Sequence, residues 1–155
     1  MKISKEFGCS ALLISILGIF AGYFNFTLIA VLFVLILALS NDKELRNDIA
    51  TVFFTSLIVT VVCAVLSGIS LGYNSILNTA SDIIFNSVKS SKAFDVINAI
   101  FTFLRNVDLA AILNGFIGFV HFVISIVFLV MVCKQKTLTF PGISKLVEKT
   151  IFDKE

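Results

Sequence analysis

The sequence predicts an all-α integral membrane helical bundle with four membrane-embedded segments, the first two a short helical hairpin, plus amphipathic interfacial helices. Three observations carry that reading. Hydrophobic residues make up 58% of the 155 and charged residues 14%, far from the roughly 45–50% apolar and 25% charged mix of soluble domains. Residues 10–40 run without a charge or a proline, half as long again as the roughly 20 residues one helix needs to cross a bilayer. Basic residues segregate to one side once that run is folded into two crossings.

The opening places Lys2 and Lys5 before an apolar core that ends at the small pair Ala21-Gly22, as a signal peptide would. Apolar character continues directly to Ser40, so the start is read as an uncleaved first membrane segment. One straight helix over residues 10–40 would be about 46 Å long and would need a tilt near ~50° in a core of about 30 Å. Two segments, about 10–22 and 24–40, are the cheaper solution. Their break is expected at Gly22-Tyr23-Phe24-Asn25, where a glycine and an asparagine suit a tight turn. Each half is short for a full crossing, so the hairpin either stops short or thins the bilayer.

Residues 41–48, NDKELRND, read as a solvated charged loop in which Lys43 and Arg46 interleave Asp42, Glu44 and Asp48. Residues 49–71 form the third membrane segment and residues 109–133 the fourth, which ends at Lys134. The intervening stretch, 74–106, is amphipathic: Ile76, Leu77, Ala80, Ile83, Ile84 and Val88 recur at helical spacing. After a break at residues 90–92, Phe94, Ile97, Phe101 and Leu104 form a second stripe. Neither piece is apolar enough to span, and both are expected to lie in the outer headgroup layer against the bundle. In the tail, 134–155, Pro141-Gly142 precedes a last amphipathic helix with Ile143, Leu146, Val147, Thr150 and Ile151 on one side. The chain, 1–155, is read as a single membrane domain.

With four crossings and the amino end inside, Lys2, Lys5, Lys43, Arg46, Lys134, Lys136, Lys145, Lys149 and Lys154 are inside, and only Lys89, Lys92 and Arg105 outside. That is nine of the twelve basic residues on the cytoplasmic side, whereas three crossings would split them five against seven. Tyr23 and Tyr73 then both fall at the outer interface, where polar-tipped aromatic rings are favoured. The expectation is a multi-pass protein of the cell (inner) membrane with both termini cytoplasmic.

Chemistry-bearing residues are sparse. Cys9, Cys63 and Cys133 are far apart, without a CxxC pair, and read as small apolar fillers. No Ser-His-Asp set, HExxH or phosphate-cradling glycine loop can be assembled, so no enzyme activity, cofactor or metal is expected. The net charge of +2, with no basic stretch interleaved with aromatics, argues against a nucleic-acid partner. His121 is the one ionisable residue within a membrane segment. It shares a helix face with Asn114, and the two are expected to form an intramembrane polar clasp. Small residues at four-residue or similar spacing, Gly18 and Gly22, then Ala64, Gly68 and Gly72, then Ala111, Gly115 and Gly118, are expected to let helices pack closely.

These features favour a non-enzymatic accessory or regulatory subunit whose partners are membrane lipids and either a second copy or a larger membrane complex. The alternative is an oligomeric pore-former, holin-like or a membrane-disrupting effector. A channel wall needs a continuous polar stripe, and Ser56, Thr60, Ser67 and Ser70 supply a weak one.

The centrally broken apolar segment, the charged loop leading straight into a helix (LSNDKELRNDIATVFF) and the last helix ending in lysines before a proline (CKQKTLTFPGISKLVEK) resemble one family. It comprises the small bacterial multi-pass membrane proteins related to the chloroplast inner-envelope import-channel subunit. The likeness covers about two thirds of the chain and lies in layout. The loop lacks the histidine those relatives often carry, and residues 72–108 look like an insertion. The resemblance implies the membrane architecture and brings no activity with it.

Overall fold

The computed structural model describes residues 10–87 and 91–151. Among them the chain forms six helices: α1 (Ala11–Phe24), α2 (Phe26–Leu39), α3 (Lys43–Ser87), α4 (Ser91–Asn106), α5 (Leu109–Cys133) and α6 (Ile143–Ile151). Two of them, α3 and α5, are long and apolar enough to cross a membrane. The chain divides into two compact units, one from residues 1–61 and 118–155, the other from residues 62–117.

In the first unit, α1 and α2 are separated by Asn25, which is extended at φ −155 and ψ 113. Its backbone N–H still donates to the carbonyl of Ala21, while its side-chain oxygen accepts from the N–H of Thr27 at 2.8 Å and caps α2. The break therefore lies at the asparagine and not at Gly22. Gly22 stays helical and is a point of close approach: a Cβ there would stand 2.5 Å from Val52 Cγ1 and 2.8 Å from Ser56 Oγ. Each 14-residue helix is about 21 Å long.

The loop over residues 41–48 is mostly helix. Ser40 Oγ accepts the N–H of Asp42 at 3.1 Å, and Asp42 Oδ1 accepts those of Glu44 at 3.0 Å and Leu45 at 3.3 Å. That cap starts α3 at Lys43, ahead of the apolar stretch 49–71. The helix then runs for 45 residues, about 68 Å at 1.5 Å per residue. It passes without a break through residues 72–74, where the amphipathic segment was expected to begin as a separate element. No proline interrupts residues 43–87, and Gly68 and Gly72 cost a helix interior only about 1 kcal/mol each.

Ile14 and Ile19 of α1, Ile29 and Ile36 of α2, Leu45 and Ile49 of α3, and Phe128 and Val132 of α5 form the buried core of this unit. Phe33 and Phe53 stack beside it at 4.4 Å with ring planes 5° apart. Beyond α5, Gln135 takes a left-handed φ of 55, and the N–H of Lys136 donates to the Met131 carbonyl at 3.0 Å. This helix cap turns the chain back so that Leu138 joins the core. Ile143 and Val147 of α6 are buried in a second cluster with Ala50, flanked by Phe33, Phe54 and Phe140. Leu146, expected on the same stripe, is 44% exposed, so the buried face of α6 is narrower than its pattern suggests. On the outside, Leu17, Phe24, Leu28, Val34, Phe119 and Val127 are exposed.

In the second unit, Leu77 and Ser81 of α3 are buried, and Phe85 packs on Phe94 at 4.9 Å and on Phe101 at 6.1 Å. Ile76 and Ile83, expected on the buried stripe, are 70% and 63% exposed. The inward face is rotated from the one read off the sequence, because it carries Ser70 and Ser81 beside Leu77. The expected break at residues 90–92 is seen only from its far side, where α4 begins at Ser91, since residues 88–90 lie outside those described. Asp108 Oδ1 caps α5 by accepting the N–H of Ala111 at 2.9 Å.

Candidate functional site

A polar junction forms at the amino-terminal end of α3. Asp48 lies one turn beyond Leu45, beside Ile49 and one turn before Val52, and all four are buried. Its carboxylate accepts two hydrogen bonds: Oδ2 from Ser15 Oγ of α1 at 3.1 Å, and Oδ1 from the N–H of Leu138 at 2.9 Å. The adjacent Asn47 Nδ2 donates to the carbonyl of Leu138 at 3.0 Å. Side chains of α3 thus hold both polar groups of one residue 90 positions away.

Next to the carboxylate is a cavity of about 480 Å³. Ala11, Leu12, Leu45 and Val132 supply apolar walls, and Gln135, Lys136 and Thr137 line its exposed side. Burial pushes the Asp48 carboxyl up from 3.8 to about 6. The hydrogen bonds from Leu138 and Ser15 oppose that rise, and the nearby charges of Glu44 and Asp42 add to it.

The charged loop was expected to be solvated throughout, and for Asp48 that is corrected: only 9% of its surface is exposed. The signal was in the spacing. Once α3 is started at Lys43, Leu45, Asp48, Ile49 and Val52 fall on one helical stripe.

The polar pair expected on α5 does not form a shared clasp. Asn114 Nδ2 donates to Ser67 Oγ at 3.3 Å, while its buried Oδ1 has no hydrogen-bond partner among the described residues. His121 is buried and packs its ring on Tyr23 of α1, with centroids 5.5 Å apart. Seven residues is two turns along one helix, and each side chain finds a neighbour from another helix first.

The small-residue expectation divides in the same way. At Gly18 an added Cβ would run into Ile49 Cδ1, and at Gly22 into Val52 and Ser56, so both are points of close helix approach. Among the described residues nothing lies within 4 Å of such an atom at Gly68, Gly72, Gly115 or Gly118. Ala64 is exposed as well. Among the described residues these five are not packing points.

Three of the four hydroxyls on the weak polar stripe of α3 are hydrogen-bonded within the chain. Ser56 Oγ donates to the Gly22 carbonyl at 2.9 Å, Thr60 Oγ1 to that of Ser56 at 2.8 Å, and Ser67 accepts from Asn114. Cys63 is half-buried and Cys133 exposed, both as free thiols, while Cys9 lies outside the described residues. Among the described residues, no group of three or more His, Cys, Asp or Glu is placed to hold a metal ion. Compared with family models, curated proteins and solved structures, the chain matches none.

Proposed function

We propose that the chain is a non-enzymatic multi-pass protein of the cell (inner) membrane, acting as an accessory or regulatory subunit of a larger membrane complex. Four segments are embedded, α1, α2, the apolar part of α3, and α5, and both termini face the cytoplasm.

The observation that carries this reading is an outer surface as apolar as the core it encloses. Large apolar side chains point outward along α1, α2 and α5, with Phe24 at 74%, Val34 at 63% and Phe119 at 63% exposed. A soluble monomer rarely shows apolar patches beyond a few hundred Å², so lipid or a protein partner covers these faces. Hydroxyls inside the unit, at Ser15 and Ser56, are turned to hydrogen bonds between helices. Side chains committed in this way hold helices together and leave little for a water-filled wall. The nine-to-three split of basic residues supports the orientation.

Induced expression in a bacterium, followed by a potential-sensitive dye and by cross-linked co-purification from the membrane, tests the assignment. Unchanged potential together with a stoichiometric partner protein is expected. Prompt depolarisation on induction would overturn it in favour of the oligomeric pore.

A further inference from the structure

The cavity of about 480 Å³ beside Asp48 opens between the starts of α1 and α3 and the end of α5. Its volume falls within the roughly 300–1,000 Å³ of small-molecule sites, more than a bare ion fills. Its lining carries both signs of charge, with Asp42, Glu44 and Asp48 on α3 or its cap and Lys136 on the exposed side. We propose that the cavity binds a phosphoethanolamine group, with the primary ammonium held at Asp48 and the phosphate at Lys136.

The buried carboxylate is the reason for a cation. Asp48 is only 9% exposed, and both of its oxygens accept, Oδ2 from Ser15 Oγ at 3.1 Å and Oδ1 from the Leu138 N–H at 2.9 Å. These donors suit the ionised form and use two of the roughly four lone-pair positions of a carboxylate. They leave its charge unpaired. Among the described residues no cationic side chain bears on it, and the charges that do, those of Glu44 and Asp42, are negative. Such a group gains most from a cation that also donates hydrogen bonds. Burial pushes the carboxyl up to about 6, which still leaves it ionised at neutral pH.

The rest of the lining selects the kind of cation. Among the described residues no group of three or more His, Cys, Asp or Glu is placed to hold a metal ion. Quaternary ammonium groups are recognised by aromatic faces, and none of the described residues around the cavity is aromatic. A primary ammonium carries three N–H donors, which the free lone pairs of Asp48, the Ser15 oxygen and the Gln135 side chain can accept. Lys136 calls for an anion next to that ammonium. Phosphoethanolamine joins the two charges through two carbons, and Leu12, Leu45 and Val132 offer apolar wall to the carbon chain. The group occurs both on phospholipids and free in water. The lipid source rests on the membrane role proposed above, which puts residues 41–48 and 134–137 at the cytoplasmic headgroup level, whereas the site itself does not.

The full chain in a neutral detergent is offered phosphatidylethanolamine or phosphatidylcholine with the same acyl chains, and bound lipid is counted by native mass spectrometry. One phosphatidylethanolamine per chain is expected, retained roughly tenfold better than phosphatidylcholine. Asp48→Asn, checked for folding by thermal unfolding, is expected to erase that preference. Ala11 lines the cavity and takes no part in the hydrogen bonds of the joint, so Ala11→Phe, which fills the space, is expected to do the same even if the asparagine variant does not fold. Lys136→Gln, at an exposed position, is expected to weaken retention several-fold. Free phosphoethanolamine separates the two sources: displacement of the lipid by an equal concentration supports the site with a soluble ligand, and persistence of the lipid supports it with a membrane one. Binding of the free compound to chain recovered outside the membrane would support the site while refuting the membrane role. Equal retention of the two lipids with no binding of the free compound, or a preference that survives both Asp48→Asn and Ala11→Phe, would overturn the proposal. Binding that appears only after Lys2→Gln and Lys5→Gln, positions outside the described residues, would overturn it too, because the chain's own amino end would then be the occupant.

Discussion

Gly22 and Asp48 show how single residues are set by what stands opposite them. Gly22 accepts a hydrogen bond from Ser56 through its carbonyl, and its missing side chain makes room for Val52. Val52 is β-branched and stiff at χ1, so Gly22→Ala is expected to destabilise by ~1–3 kcal/mol through overpacking. Gly68→Leu has open space and is expected to leave the melting temperature in detergent unchanged. Thermal unfolding of the two variants side by side checks both, and a larger loss for Gly68→Leu would contradict the packing described. Asp48 adds a pH dependence at the same scale. Its carboxyl is raised in the folded chain, so the folded state binds the proton more tightly than the unfolded one. Its contribution should stabilise the fold more at pH 4 than at pH 7, a slope that Asp48→Asn should flatten.

Among the elements, α6 depends most on a few contacts. It has nine residues, too few to be stable alone, and is held through Ile143 and Val147 against Ala50 and the flanking Phe33, Phe54 and Phe140. Val147 is fully buried. Val147→Asp would place an unpaired charge in that cluster, at a cost well above what a nine-residue helix can offset. The expected outcome is an undocked tail, cut rapidly by added protease at Lys145 and Lys149, with the rest of the chain still folded. Equal resistance of parent and variant would show that α6 docks by some other face. The charged sequence of the α3 amino terminus is legible in the same terms. Its cap, Asp42, could be read from residue types, and the spacing puts Asp48 on the inward stripe, but its partners Ser15 and Leu138 could not be read, because they come from 33 and 90 positions away.

For the whole molecule, the proposed orientation makes a direct prediction. Reporter fusions after Asn41, Lys92 and Glu155 are expected to read inside, outside and inside. The first is decisive, because an outside signal at Asn41 would require residues 10–40 to cross once. The break at Asn25 makes that single crossing difficult, since α1 and α2 each reach only about 21 Å and pack on each other through Ile14, Ile19 and Ile29.

By itself the sequence determined the helical class, the division of residues 10–40 near Asn25, the apolar character of residues 49–71 and 109–133, and the turn before α6. These follow from composition, periodicity and local capping, which act within a few residues. Only the tertiary structure decided which small residues are packing points, that Asn114 and His121 take separate neighbours, and that Asp48 is buried at a three-way joint. Each depends on which helix lies opposite, and a helix apolar on nearly all sides, as α2 and α5 are, carries little sign of which face it turns inward.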